Sequence, residues 1–373
     1  MRPKILARRP RIFRSFLSRS NLTKLSLAVL IWTLIEAHVI YYRIARADRE
    51  ARAHAVLHEP IRVFIASLHW NNEKILRNGW NKGVVDLVNT LGHDNVFVSV
   101  YESGSWDKSK DALRELDQEL GRIGVGRKIV LEETTHADLI KGPPEKEGWI
   151  EVSEGAMALR RIPYLSKLRN ISLQPLLELA ANGTSFHYVL FLGDVFFTVE
   201  DIITLLKTNN GHYAAACSLD FSKPPLFYDT FALRDVHGHE HVTQTWPYFR
   251  ASKSRMSMPT SAFTGIQGLK FRGIDDSLAV YHLEGSECCL IHADNPASRT
   301  KGVFLNPAVR VGYNRKAYET VHPPHEFNTG SRLPLAARKG RQPPAEAAGT
   351  SHGLIELALY FALASQPAIG FTN

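Results

Sequence analysis

Several acidic residues stand where apolar runs stop. Asp194 follows Val-Leu-Phe-Leu-Gly at 189–193, Asp220 follows Ala-Ala-Ala-Cys-Ser-Leu at 214–219, and Glu102 follows Val-Phe-Val-Ser-Val-Tyr at 96–101. Asp229, Arg234 and Asp235 come soon after in Tyr-Asp-Thr-Phe-Ala-Leu-Arg-Asp (228–235). Glu287, His292 and Asp294 share the stretch 285–294. Carboxylates and a histidine gathered at one crevice suit a hard divalent cation held partly through a ligand's phosphates. Arg160, Arg161, Lys167 and Arg169 lie on one basic segment that could neutralise a diphosphate. Together these types point to group transfer from a nucleotide-activated donor.

Each residue also has a plainer use. Asp194 could cap a helix opening near Thr198. Glu102 could cap a turn, the basic residues could line a solvated helix face, and His292 could be a structural histidine. No G-x-G-x-x-G follows a first strand, and G-x-x-x-x-G-K-[ST], H-E-x-x-H and G-x-S-x-G are absent. That weighs against dinucleotide, P-loop, zincin and α/β-hydrolase chemistry.

The elements that would position these groups alternate. Residues 61–68, 95–102, 127–133, 187–194 and 213–220 are short apolar runs with the composition of buried strands. Between them, 69–92, 105–124, 158–180 and 198–211 show helical spacing, the third broken near Pro163 and Pro175. Strand–helix alternation implies an α/β fold with a mostly parallel sheet flanked by helices. Such sheets bind ligands at the carboxyl ends of their strands, which is where Asp194 falls.

The formal charge of +8 is concentrated at one end. Residues 1–24 carry eight Lys and Arg and no acid, which leaves the remainder close to neutral. A nucleic-acid partner would need a basic face on the folded part, and none is legible. The basic arm instead precedes the apolar run 25–42, long enough to cross a lipid bilayer as a helix. The positive-inside rule puts the arm in the cytosol and the bulk of the chain in a lumen, as a single-pass type II protein. The expected organisation is a cytosolic arm (1–24), a transmembrane signal anchor (25–42), a stalk (43–60), a luminal domain (61–318) and a low-complexity tail (319–373). Cys217, Cys288 and Cys289 allow one bridge at most, and Asn170 and Asn182 begin glycosylation triplets.

Longer motifs carry a resemblance. "VFVSVYESGSWDKSKDALRELDQEL", "RIPYLSKLRN", "VLFLGDVFFTVEDIITLL", "YAAACSLDF…PPLFYDTFALRD" and "SECCLIHAD…VFLNPAVRVGY" together resemble the fungal cryptococcal mannosyltransferase and capsule-associated protein family, glycosyltransferase family 69. The resemblance runs from about Ile61 to Tyr318. It implies a GT-A-like nucleotide-diphospho-sugar transferase fold. It also implies a Golgi membrane enzyme that moves mannose from GDP-mannose, with retention, to a mannose-containing glycan through an α-1,3 linkage. Mn²⁺ is the implied cofactor. Asp194 would be the metal and diphosphate anchor, in an "LGDV" that resembles the family's "NDV" with Gly193 in place of Asn.

By type and position, His292 would join the metal site. Glu287 or Asp220 would be catalytic, and Glu102, Arg161, Arg169, Asp229 and Arg234 would bind the donor. One family feature has no counterpart: the Cys-Trp-Asn-Gly segment is missing where the chain passes from Pro259 to Phe271. The alternative is therefore a relative without transfer activity, acting as a membrane-anchored partner in polysaccharide synthesis or export.

Overall fold

The computed structural model describes residues 19–53, 60–153, 155–228, 230, 239–245, 271–281, 287–322 and 361–364. The chain divides into two units, Met1–His54 and Ala55–Asn373. The described part of the first is one helix, α1 (Arg19–Ala53), which runs without interruption through the apolar run and into the stretch read as a stalk. Leu25, Trp32 and Leu34 on it are exposed. Among the described residues it is the one helix long and apolar enough to cross a membrane.

The second unit contains β1 (Val63–His69), β2 (Val96–Glu102), β3 (Gly126–Leu131), β4 (Trp149–Ser153), β5 (Ala156–Leu159), β6 (Tyr188–Phe191), β7 (Ala215–Phe221), β8 (Val303–Gly312) and β9 (Phe361–Ala364). Its longer helices are α2 (Asn81–Leu91), α3 (Ser109–Arg122), α4 (Arg161–Ala181), α5 (Val199–Leu206), α6 (Glu287–Asp294) and α7 (Arg315–Val321). The main sheet has the order β3-β2-β1-β6-β9-β7-β8, and β4-β5 form a separate hairpin. Pairs β1–β2, β1–β6, β2–β3 and β7–β8 are parallel. The fold is thus the mostly parallel α/β sheet flanked by helices that the alternation implied.

Burial on both faces explains the continuous apolar runs. Successive side chains of β1 point to opposite faces. Val63 and Ile65 pack with Val84 and Leu87 of α2 and Leu113 and Leu116 of α3. Phe64, Ala66 and Leu68 pack with Tyr164, Leu165 and Leu168 of α4 on the other face.

Three expectations are revised. α4 is continuous from Arg161 to Ala181 rather than broken at its prolines. Pro163 lies in the first turn, where a backbone N–H has no helical partner to lose. Pro175 is accommodated inside, beside the buried Leu173. Second, α3 begins at Ser109 rather than Ser105. Asp107 accepts hydrogen bonds from the Ser109 N–H and hydroxyl and holds the preceding residues in a turn. Third, Phe361–Ala364, inside the stretch read as a low-complexity tail, pairs antiparallel with both β6 and β7. Without it, the facing backbone groups of those two parallel strands would lack ladder partners.

Cys217 is a buried thiol in β7, in no disulfide. The Asn170 amide donates to the Phe271 carbonyl and accepts from the Phe271 N–H, each at 2.8 Å, so it braces the fold. Asn182 is exposed at the end of α4.

Candidate functional site

The parallel register sets the carboxyl ends of the strands at one edge. His69 at the end of β1 pairs with Glu102 at the end of β2. Ala66 pairs with Phe191, the last residue of β6, so Asp194 lies as far beyond that pair as His69 does. The turn carrying Asp194 is pinned by several contacts. The Leu192 N–H donates to Ala66 O at 2.8 Å, and Ser67 Oγ donates to Leu192 O at 2.6 Å. The Trp80 indole donates to Gly193 O at 2.8 Å, a backbone contact that needs no side chain at 193. The Phe196 N–H donates to Gly312 O at 2.7 Å.

Asp194 does not cap the next helix. Thr198 and Asp201 do so, each side chain bonded to the other's backbone N–H in a capping box. The Asp194 carboxylate instead accepts from Asn72 Nδ2 at 2.9 Å. Burial pushes it up to about 7, and the nearby Asp220 charge pushes the same way. A backbone N–H, Asn72 and Arg169 act against that rise.

Asp220 is buried near the end of β7 and accepts from the Tyr313 hydroxyl at 2.9 Å. Arg169, buried on α4, lies over Phe191 at 5.9 Å and Phe271 at 5.5 Å from the ring centres. Asp194, Asp220 and Arg169 therefore share one electrostatic neighbourhood at the ends of β6 and β7. Glu102 is fully buried, with one oxygen accepting from the Ser105 N–H and Oε2 without a hydrogen-bond partner. Burial raises its pKa, and the Ser105 contacts offset part of that. His69 is also buried and is pulled down to about 4 by burial, so its ring is neutral at pH 7.

The other expected residues are placed as follows. Arg160 is paired with Asp276 and donates to Ile274 O at 3.0 Å, bracing the loop against the β4–β5 hairpin. Lys167 meets Glu145 in an exposed pair at 2.9 Å, and Arg161 is exposed at the start of α4. His292 is buried in α6 and is lowered to about 4 by burial. Glu287 begins α6, and its side chain lies outside the described residues. Asp229, Arg234 and the stretch 246–270, where the family segment is missing, also lie outside them.

No group of three or more His, Cys, Asp or Glu side chains that could hold a metal occurs among the described residues. Two mutually repelling carboxylates at the strand ends nonetheless fit a divalent cation that takes its remaining ligands from a diphosphate. The sequence reading passed over His69, Asn72, Tyr313 and the pair Trp70–Trp106, whose ring centres lie 5.3 Å apart. The signal was His-Trp-Asn-Asn directly after the first strand, which had been read as helix.

Residues 62–294 match the family described as Cryptococcal mannosyltransferase 1. The chain belongs to this family. That makes it a glycosyltransferase of the mannosyltransferase kind, and the match spans Glu102, Arg169, Asp194, Asp220 and His292. No curated protein matches the chain. Among solved structures, the mannosyltransferase PcManGT from Pyrobaculum calidifontis in complex with GDP-Man and Mn2+ aligns at 11% identity and TM-score 0.34, covering 76% of this chain and 70% of that chain. S. aureus TarS 1-349 in complex with UDP aligns at 14% identity and TM-score 0.25, covering 47% and 40%. M. tuberculosis glucosyl-3-phosphoglycerate synthase aligns at 14% identity and TM-score 0.23, covering 47% and 49%. The chain spans less than half the length of the last two.

Proposed function

We propose that the chain is a metal-dependent retaining mannosyltransferase, moving mannose from GDP-mannose to a mannose-containing glycan through an α-1,3 linkage. The observation that carries this reading is Asp194, held at the strand-end edge between the Asp220 charge and the Arg169 charge. Family membership supplies the sugar.

Asp194 and His292 would hold Mn²⁺ together with the donor diphosphate; when bound, the cation supplies Lewis-acid stabilisation of the departing GDP. Arg169 offsets negative charge on the diphosphate as the glycosidic bond breaks. Glu102, Arg161, Asp229 and Arg234 would position the donor. Glu287 or Asp220 would stabilise positive charge at the anomeric carbon, or attack it to give a transient glycosyl ester. The acceptor hydroxyl then enters from the face the donor left, which accounts for retention. Asp220 is oriented for either role by the Tyr313 hydroxyl.

In this reading α1 is a signal anchor. The protein is a single-pass type II protein of the Golgi membrane with the sheet on the luminal side, in capsule, cell-wall or glycan synthesis. The positive-inside distribution and the helix Asn21–Glu50 support it. The absent Cys-Trp-Asn-Gly segment favours a second reading, a membrane-anchored partner without transfer activity.

The test is mannose transfer from GDP-mannose to an α-mannoside by the full-length chain in detergent, with Mn²⁺ and with EDTA. Transfer that needs Mn²⁺ and drops at least about 100-fold in Asp194→Ala is the expected result, in the range for losing one charge-stabilising group. Donor binding without transfer would favour the partner reading. A folded chain that neither binds nor transfers would overturn the enzyme reading.

A further inference from the structure

We infer that Asn72 is a positioning residue, which holds the Asp194 carboxylate in the orientation that receives the cation and diphosphate. The inference rests on the reading of Asp194 proposed above and adds a residue which that reading does not use.

The argument starts from the amide. An asparagine side chain has one accepting end and one donating end. Asn72 Oδ1 accepts from the Trp70 backbone N–H at 3.0 Å, which settles which end is which. His69 Nδ1 lies 3.1 Å from the same oxygen, so the ring contributes a second donor there. Nδ2 is left facing Asp194 Oδ2 at 2.9 Å. The amide cannot turn over without breaking the Trp70 bond and setting its oxygen against a carboxylate.

The rest of Asn72 is anchored as well. Its N–H donates to Ser109 Oγ at 2.8 Å, and its carbonyl accepts from the Ile75 and Leu76 N–H groups at 3.0 Å. His69 is held in turn: its Nε2 lies 2.9 Å from Ser67 Oγ, and its ring stands edge-on to Trp80 with centres 4.4 Å apart. Ser67 and Trp80 are also the residues that fix Leu192 and Gly193. One set of side chains thus grips both the backbone before Asp194 and the amide that meets its carboxylate. Groups that orient a ligating carboxylate without touching the cation set its affinity by about 10- to 100-fold.

The experiment is GDP binding by calorimetry to the full-length chain, with Mn²⁺ and with EDTA, for wild type, Asn72→Ala, Asp194→Ala and the double variant. Mn²⁺ should tighten GDP binding to wild type. Asn72→Ala should lose about 10-fold of that gain while its affinity in EDTA stays unchanged. In the Asp194→Ala background, Asn72→Ala should have no further effect. A merely structural role would weaken binding in EDTA too and would persist without Asp194. An unchanged Mn²⁺ gain in Asn72→Ala, or a loss that persists in the double variant, would overturn the inference. Wild type that binds GDP equally with Mn²⁺ and EDTA would overturn the functional reading of Asp194, and this inference with it. Should Asn72→Ala fail to fold by circular dichroism, Asn72→Ser goes through the same cycle, since its hydroxyl can still accept from the Trp70 N–H.

Discussion

Asp194 holds its proton more tightly in the folded chain than in the unfolded one, where an ordinary aspartate titrates near 3.8. Below pH 4 both states are protonated. Between about 4 and about 7 the unfolded state gives up the proton first, so this group's contribution to stability falls as pH rises and then levels off. His69 and His292, both lowered to about 4, act in the opposite direction: their contribution falls as pH drops from 6.5 towards 4. Comparing Asp194→Asn with wild type cancels the histidines. The variant should match wild type in melting temperature at pH 4 and exceed it by about 2–5 °C at pH 8. A constant difference across that range, read by scanning calorimetry, would contradict the raised pKa. The residue types at this site were legible in the sequence, because carboxylates at the ends of apolar runs stand out. Asn72 was not, since nothing local links it to a partner 122 positions away.

The turn–helix unit that follows β6 separates stability from chemistry. Thr198 caps α5 together with Asp201, while Asp194 points to Asn72. Thr198→Ala should cost about 1 kcal/mol, the usual value for a lost N-cap. That corresponds to a fall of about 2–4 °C in melting temperature. Its Mn²⁺-dependent GDP affinity should stay within about twofold of wild type, since surface caps act on the helix alone. A large loss of affinity without loss of stability would put Thr198 in the site. The five strands read from the sequence (β1, β2, β3, β6 and β7) were legible through their apolar runs. β8 was not marked as a strand, because Asn306 and Pro307 interrupt it. β4 and β5 were missed because exposed Glu151, Val152 and Met157 give the hairpin no inward-facing alternation.

For the whole molecule, the sheet depends on its far end. β9 fills the ladder between β6 and β7, and Asp194 and Asp220 stand beyond those two strands. A chain ending at His322 would expose facing rows of backbone donors and acceptors in mid-sheet. It should unfold or aggregate, shown by loss of a cooperative thermal transition and by light scattering. A truncated chain with the wild-type melting temperature would show that β9 is dispensable. The sequence by itself determined the strands with strong local patterns, the basic arm and apolar helix, the family, and which residue types could do chemistry. Those are carried by periodicity and composition within a few residues. Only the tertiary structure decided that Asn72 meets Asp194, that Arg160 braces a loop while Arg169 reaches the carboxylates, and that the last strand comes from the tail. Those depend on pairings between distant segments, and burial makes such contacts strong while leaving no mark in the local pattern.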